Sequence, residues 1–319
     1  MQDDVLKIFS QISVYGLYCL YILTVIEAIF LIRKMPGSFD GKEAAVSLLS
    51  EFTPIALNYL ALGLSFSLIK PIMVFAWENR INTIDVNTFS GVLAAYLFGE
   101  FIYYWQHRAL HRIRWFWLDH AVHHSSNRLN LTAAWRMGLT SRVVGATIFF
   151  VPMIWLGFGL NAIVIVFGVF SLYQTLLHTE WFPKLGVLEG FLMTPSLHRV
   201  HHGSNPEYLD CNYGSTLCIY DRIFGTYVAE RSDVAIRFGL VEPLKSNNPL
   251  IVYFHQWIYL ARDLRSVKGL KSLVLIFLMP PEWLASQRPK KSESLLTEKS
   301  ACPLSVPMSL DRRDRKSVV

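Results

Sequence analysis

The stretch HRALHRIRWFWLDHAVHH, residues 107–124, decides the character of this chain. It holds two histidine motifs: HxxxH, formed by His107 and His111, and HxxHH, formed by His120, His123 and His124. On a helix, residues three or four positions apart lie on the same face, so each motif offers two or three imidazoles to one point. The stretch therefore predicts helices that carry metal ligands.

The HxxHH motif recurs as His198, His201 and His202, and His178 stands alone before it. Nine of the ten histidines thus lie between positions 107 and 202. Imidazole suits iron, zinc, copper and nickel, and eight or more histidines exceed what one tetrahedral zinc ion uses. We therefore expect a site for two metal ions.

The composition favours a membrane protein. Of the 319 residues, 52% are hydrophobic and only 17% are charged, which leaves too little polar surface to cover a soluble globule. This argues against a soluble enzyme, a disordered chain and a disulfide scaffold. The four cysteines are too scattered for a CxxC metal site and are expected to be free thiols.

Three apolar runs predict membrane-spanning helices over residues 8–32, 52–77 and 86–105. The first carries a single charge, Glu27, and is long enough to cross a hydrocarbon core of about 30 Å. The second is interrupted by Lys70 and Pro71, which predict a kink or an early end. The third contains Glu100 on the same helical face as His107, so this acid is a candidate functional group or a headgroup-level residue.

A fourth run, 143–177, has no charge and as one helix would be roughly 52 Å long at about 1.5 Å per residue. Gly157, Gly159 and Asn161 lie at its middle, so we expect a hairpin of two short helices. The hairpin would return His178 and the last motif to the side of the membrane that holds the first two motifs.

Lysines and arginines predict the orientation. They follow the first and third runs, whereas the loop between the second and third holds only Arg80, so we expect an outside N-terminus and a cytosolic metal site.

The tail from residue 286 contributes +4 of the net charge of +6; we expect it to be disordered and to suit anionic lipid rather than nucleic acid. We expect four parts: N-terminal transmembrane helices in 1–85, a catalytic domain in 86–230, interfacial helices in 231–285, around the apolar stretches 250–261 and 270–278, and the tail 286–319.

The motifs and three flanking segments resemble those of a known family. HAVHHSSNRLNLTAAWR, LLHTEW and TPSLHRVHHGSNPEYLDCNYGSTLCIYDRIFGTY resemble the fatty acid hydroxylase and sterol desaturase superfamily, and more narrowly its alkylglycerol monooxygenase-like and bacterial sterol desaturase-like branches. The resemblance covers about residues 90–230. It implies an all-α integral membrane protein of about four transmembrane helices with a cytosolic helical cap, two non-haem iron ions, and dioxygen as co-substrate in the oxidation of a lipid C–H bond.

The resemblance also assigns the ligands. Some relatives carry one more histidine after His178, where this chain has Glu180, so Glu180 or water is expected as a tenth ligand. Ligating histidines donate their second ring N–H to a carboxylate or carbonyl. The metal ligands expected are His107, His111, His120, His123, His124, His178, His198, His201 and His202, and the carboxylates expected around them are Asp119, Glu180, Asp210 and Asp221. His255, alone in an aromatic stretch, is expected to be no ligand.

The function predicted is hydroxylation or desaturation of a fatty acyl, alkylglycerol or sterol lipid. The sequence contains no recognisable cytochrome, flavin or ferredoxin domain, so a separate electron donor is expected: a cytochrome, a ferredoxin or a diffusible reductant such as a pterin. A metal transporter and a membrane zinc hydrolase remain alternatives. Transport needs polar residues at the middle of several spans, which are nearly bare of them, and no HExxH motif supports a hydrolase.

Overall fold

The computed structural model describes residues 2–35, 37–60 and 69–283. As expected, these residues are helical; they contain no strand, only the isolated bridges Leu192–Leu217 and Gly203–Phe238. The α-helices are α1 Gln2–Lys34, α2 Gly41–Leu60, α3 Lys70–Glu78, α4 Phe89–Arg112, α5 Arg114–His123, α6 Leu131–Ala134, α7 Ser141–Val144, α8 Val151–Leu156, α9 Leu160–Leu177, α10 Pro195–His201, α11 Ile219–Ile223, α12 Pro249–Leu264 and α13 Leu270–Leu278; 3₁₀ turns cover Ala146–Phe150, Gly186–Gly190 and Pro206–Tyr208.

Helices α1, α4 and α9 pack side by side beneath the histidines. A small residue allows each close approach: Gly16 of α1 faces Leu172, and a side chain on Gly99 of α4 would collide with Val166 and Phe170 of α9. Two described helical segments, Val14–Lys34 and Leu160–Leu177, are long and apolar enough to cross a membrane. Helix α4 covers the predicted third span but is not among these two.

The predicted break in the run 143–177 is confirmed. Gly157 has a φ of 108°, a left-handed conformation that favours glycine, and its N–H closes α8. The first arm is divided among α7, the turn Ala146–Phe150 and α8, because Gly145 also has a positive φ; the second arm is the continuous helix α9.

The chain returns to its starting end after this break. The bend packs on the loop after α3, where Ile84 N–H donates to the Gly157 carbonyl at 3.0 Å. At the other end, Trp115 donates to the Val144 carbonyl, and His178, just after α9, lies against His123. The two ends of the run therefore meet at the histidine motifs, as the hairpin predicts.

Residues 61–68, within the predicted second span, and the tail 284–319 lie outside the described residues. The two later apolar stretches form α12 and α13, and both pack against α5. Val252 and Tyr253 of α12 are buried beside Val122. These helices therefore cover the second histidine motif.

Two carboxylates of the N-terminal helices hold the segment that follows the second motif. Glu27 of α1 accepts the N–H of Leu131 at 2.6 Å and the indole N–H of Trp181 at 3.0 Å. Glu43 of α2 accepts the backbone N–H of Asn127 at 3.1 Å and its side-chain amide at 2.7 Å. The N-terminal helices thus fix the loop beside the histidines, a role the sequence did not indicate.

Candidate metal centre

Four helix ends bring the histidines together. His107 and His111 lie on the last two turns of α4, the second motif ends α5, the third ends α10, and His178 caps α9. All nine histidines predicted as ligands lie in two adjoining groups. The first group contains His107, His111, His120, His124 and His201; the second contains His123, His178, His198 and His202.

The two HxxHH motifs are divided between the groups in opposite ways. Successive helical residues are about 100° apart, so positions i and i+4 nearly coincide while position i+3 points elsewhere. In the second motif, the i and i+4 pair enters the first group and His123 enters the second. In the third motif, the pair enters the second group and His201 the first. Each group therefore needs both motifs.

The second group has the spacing of ligands around one ion. The Nε2 atom of His178 lies 3.1 Å from that of His123 and 3.0 Å from that of His198, which is 3.1 Å from that of His202. Metal–imidazole bonds of about 2.1 Å, as at zinc sites, place neighbouring ligand atoms at right angles about 3.0 Å apart. These four rings therefore fit a metal ion without rearrangement.

In the first group, ring nitrogens without hydrogen-bond partners indicate that a metal ion fits. The Nε2 atoms of His111, His120, His124 and His201 are buried and have no hydrogen-bond partner. Such a buried polar atom costs about 1–3 kcal/mol unless something binds it. Because a cation bound among these rings would satisfy all four lone pairs, the donor set fits a metal ion.

Backbone carbonyls fix the tautomer of three histidines. Nδ1 of His107 lies 3.1 Å from the Tyr213 carbonyl, Nδ1 of His178 lies 2.8 Å from that of Gln174, and Nδ1 of His201 lies 2.9 Å from that of Cys211. Since a carbonyl only accepts, each Nδ1 carries the proton and donates it. Each Nε2 is then free to bind a metal.

The loop that supplies two of these carbonyls has an unusual backbone. Asp210 and Asn212 have φ values of 58° and 55°, which place both in the left-handed region. Asn212 also donates to the Leu197 carbonyl and pairs with the backbone of Val228. Strained backbone of this kind persists where surrounding contacts hold it and is common at functional sites. Here it aims the carbonyls of Cys211 and Tyr213 at His201 and His107.

The four predicted outer carboxylates have other partners than histidine. Asp119 accepts the backbone N–H and the hydroxyl of Thr140, and Glu180 accepts the N–H of Leu129 at 2.8 Å. Glu180 belongs to neither histidine group, so the expectation that it stands in as a tenth ligand is not met among the described residues.

The remaining two carboxylates act one step away from the ligands. Asp221 accepts the N–H groups of Tyr213 and Gly214, both at 2.7 Å, and so positions the carbonyl that binds His107. Asp210 pairs with Arg112 and accepts the hydroxyl of Tyr213. At His107, His178 and His201, backbone carbonyls, which no sequence pattern marks, occupy the position where a carboxylate was expected.

Burial keeps the nine imidazoles neutral. It lowers the pKa of His123 and of His201 from 6.5 to about 4, and it lowers the pKa of the other seven well below 6.5, with the neighbouring imidazoles adding to the effect. Neutral imidazole is the form that binds a metal, so the site is ready for one at neutral pH.

Other residues noted in the sequence lie outside the two groups. Glu100 is fully buried, and its carboxylate accepts the N–H and the hydroxyl of Thr216, so it neither faces headgroups nor joins the histidines. His255 is bound to the Val252 carbonyl, apart from both groups, as expected. Tyr213, which no sequence motif marks, packs its ring against His107, His111 and His201.

Comparison with known proteins supports the resemblance drawn from the motifs. Residues 92–226 match the family described as fatty acid hydroxylase. The chain is 31% identical over 268 residues to alkylglycerol monooxygenase of Homo sapiens, covering 83% of this chain and 57% of that protein. It is 37% identical over 185 residues to alkylglycerol monooxygenase of Xenopus tropicalis, covering 58% of this chain and 40% of that protein.

A bacterial relative is more distant. The ornithine lipid hydroxylase OlsE of Rhizobium tropici is 29% identical over 136 residues, covering 43% of this chain and 41% of that protein. The chain thus spans about half the length of the curated relatives it matches. No solved structure matches it significantly.

Proposed function

A domain of the fatty acid hydroxylase family occupies residues 92–226 of this chain, and from this premise we propose that the protein is a membrane-bound non-haem di-iron oxidoreductase. Its proposed reaction uses dioxygen to hydroxylate or desaturate a lipid. The observation that carries the proposal is the convergence of nine neutral histidines, six of them buried and three partly buried, in two adjoining groups inside that domain. An alkylglycerol is the first substrate to test, because the relatives above bear that name.

We assign one iron ion to each histidine group. Five imidazoles would hold the first ion and four the second. When bound, the two ions supply the redox chemistry by which dioxygen is reduced and a C–H bond is oxidised. Hydroxylation places one oxygen atom in the lipid and the other in water, whereas desaturation sends both to water. In either case two electrons come from a separate donor, for which a cytochrome, a ferredoxin or a pterin is proposed.

The residues of the chain hold and shield this chemistry. The carbonyls of Gln174, Cys211 and Tyr213 keep three imidazoles in one tautomer and orientation. Tyr213 closes one side of the first group, and Tyr103 packs on His107 from the side of the helix bundle. The buried site excludes bulk water, which limits side reactions of a reduced-oxygen species.

The placement proposed is a multi-pass membrane protein of about four spans with the metal site on the cytosolic face. Helices α1 and α9 are long and apolar enough to cross. Large apolar side chains of α1 are open to the surroundings, among them Tyr15, Ile22 and Val25, with exposed fractions of 65%, 60% and 59%. Water does not favour such a face, whereas lipid does. Basic residues at the ends of α1 and α4, next to the histidines, support a cytosolic metal site.

The test measures metal and product together. The full chain, purified in lipid nanodiscs, should contain two iron ions and consume oxygen with a reductant and an alkylglycerol, a fatty acid or a sterol. With ¹⁸O₂, a hydroxylated product gains the label and a desaturated product does not. One zinc ion without oxygen use would instead support a hydrolase, and metal uptake into vesicles without lipid oxidation would support a transporter; either result overturns the proposal.

A further inference from the structure

The segment after the third histidine motif packs against the middle of α4 rather than beyond its end. Thr216 donates its N–H to the Glu100 carboxylate at 2.9 Å, and the Tyr220 hydroxyl donates to the Leu97 carbonyl at 3.1 Å. Leu97 precedes His107 by ten residues, which is about 15 Å along a helix. Helix α11 therefore lies beside the part of α4 that the sequence places within the membrane.

Backbone groups of the loop before α11 have partners inside the chain, although the buried Ser215 hydroxyl has none. The backbone N–H of Thr216 is met by Glu100, and the carbonyls of Gly214 and Ser215 accept the Gln174 amide of α9. Backbone within hydrocarbon must find such internal partners because lipid offers none. The loop before α11 thus meets the requirement for a position inside the bilayer.

The outer side of this segment is apolar. Ile219, Ile223 and Phe224 have exposed fractions of 48%, 62% and 37%. The neighbouring turn adds Val187 at 85%, Leu188 at 45% and Phe191 at 73%. Both parts form one surface, because the N–H of Cys218 donates to the Phe191 carbonyl at 3.0 Å and Leu192 bridges to Leu217. We call these six exposed residues the apolar platform.

The platform continues the outward row of α4. Phe89, Leu93 and Leu97, spaced by four, have exposed fractions of 83%, 42% and 44%, and α11 rests against the last of them. Two cations border the platform: Lys184 and Arg222, whose guanidinium lies over the Tyr227 ring at 3.9 Å. Basic groups beside an apolar surface are typical of elements that lie in a membrane interface.

We propose that the apolar platform is inserted in the hydrocarbon of the leaflet nearest the histidines, where it contacts the alkyl chains of membrane lipids. The inference rests on the membrane placement proposed above. Lipid is favoured as the occupant because the platform shares both depth and surface with α4. A second copy of the chain would give a contact confined to the platform, and the test separates the two.

Single cysteines labelled with an environment-sensitive fluorophore test the proposal. Val187→Cys and Ile223→Cys report on the platform in a Cys19→Ser, Cys302→Ser chain; Cys211 and Cys218 are buried. Val241→Cys is the matched control, since Val241 is 67% exposed but lies in the loop before α12. In a separate Cys302→Ser chain, the native Cys19, exposed on α1, is the membrane reference. The full chain is placed in phosphatidylcholine vesicles that carry a nitroxide in the acyl chain or on the headgroup.

We expect blue-shifted emission at Val187→Cys and Ile223→Cys, with loss of fluorescence caused by the acyl-chain nitroxide and little by aqueous iodide. Val241→Cys should respond to iodide alone. If iodide quenches both platform positions while acyl-chain nitroxide quenches Cys19, the proposed insertion of the apolar platform is overturned. The membrane placement of α1 is then retained. Iodide quenching at Cys19 as well removes both. Apolar emission that is insensitive to nitroxide, with cross-linking between copies through Ile223→Cys, identifies a second chain as the occupant and also overturns the proposal.

Discussion

His123 and His124 are neighbours in the chain, yet they serve different histidine groups. Replacing His123 by alanine leaves three imidazoles in the second group and all five in the first. We therefore expect His123→Ala to lower bound iron from two ions toward one and to abolish lipid oxidation while the helices stay assembled. His201→Ala should deplete the first group instead. For both variants, elemental analysis measures bound iron and circular dichroism measures helix content. His255→Gln is the buried histidine control. Two retained iron ions and normal turnover in His123→Ala would refute the assignment.

The lowered pKa values also set a dependence on pH. In the metal-free folded chain His123 and His201 stay neutral down to about pH 4, whereas in the unfolded chain they take up protons below about 6.5. The unfolded state therefore binds more protons in this window, so the free energy of unfolding should fall as pH drops from 6.5 toward 4. Thermal melts of metal-free protein at pH 7.5, 6 and 5 measure this decrease in the free energy of unfolding. A free energy of unfolding that stays constant over this range would contradict the burial of the imidazoles.

At the scale of residues, the sequence predicted those ligands that recur at a helical spacing. The HxxxH and HxxHH motifs identify eight of the nine histidines because helical geometry makes their convergence predictable, whereas His178 stands outside these motifs. The partners of His107 and His201 could not be found in the same way, since they are main-chain carbonyls of Tyr213 and Cys211. Every residue has a carbonyl, and only the backbone conformation of the 210–213 loop selects these two.

At the scale of elements, the bend between α8 and α9 depends on one glycine. Gly157 combines a φ of 108° with a position where a Cβ would lie 2.1 Å from the Asn82 carbonyl oxygen. Gly157→Ala should therefore destabilise the protein by about 2–3 kcal/mol through strain and a forced shift of the loop. Gly168→Ala is the matched control: a Cβ at Gly168 meets nothing within 4 Å, and the change should stabilise α9 by about 1 kcal/mol. Melting temperatures of the two variants should move in opposite directions; equal shifts would show that the bend tolerates a side chain.

The hairpin could be predicted because the glycines at its middle and the absence of charge in the run 143–177 are features of the local sequence. The contacts of Glu27 and Glu43 with residues 127–131 were not predictable, since each joins residues some 80 to 100 positions apart. The sequence shows Glu27 only as the single charge of the first apolar run. Which partner it has depends on how α1 packs, and that is a property of the assembled chain.

For the whole molecule, the hairpin fixes which loops share a compartment. Arg128 and Glu207 are exposed and follow the second and third motifs, on opposite sides of the run 143–177 in the chain. Cysteines placed at Arg128 and Glu207 should both react with an impermeant thiol reagent from the cytosolic side only. A cysteine at Asn161, beside the bend, should show no passage of the hairpin into a new compartment. Labelling of Arg128→Cys and Glu207→Cys from opposite sides would exclude a metal site shared by the second and third motifs.

The basic tail allows a second prediction at this scale. Residues 286–319 have no apolar periodicity, and from this composition we predict that the tail is dispensable for the metal site. A chain that ends at Ala285 should keep its metal and its activity with an artificial reductant. It should lose at most salt-sensitive affinity for anionic lipid or an acidic electron donor, about 1 kcal/mol per basic residue. Loss of metal on truncation would place the tail against the histidine domain.

The opposite division of the two HxxHH motifs has a consequence for biogenesis. A nascent chain that has emerged only as far as His178 holds four of the first five histidines and two of the second four. In the proposed assignment of one iron ion to each group, neither site is complete until His201 and His202 have been synthesised and α10 has met α5. If the membrane placement and the iron assignment proposed above hold, we expect cells starved of iron to accumulate an inserted chain whose second and third motifs are not yet joined by a metal.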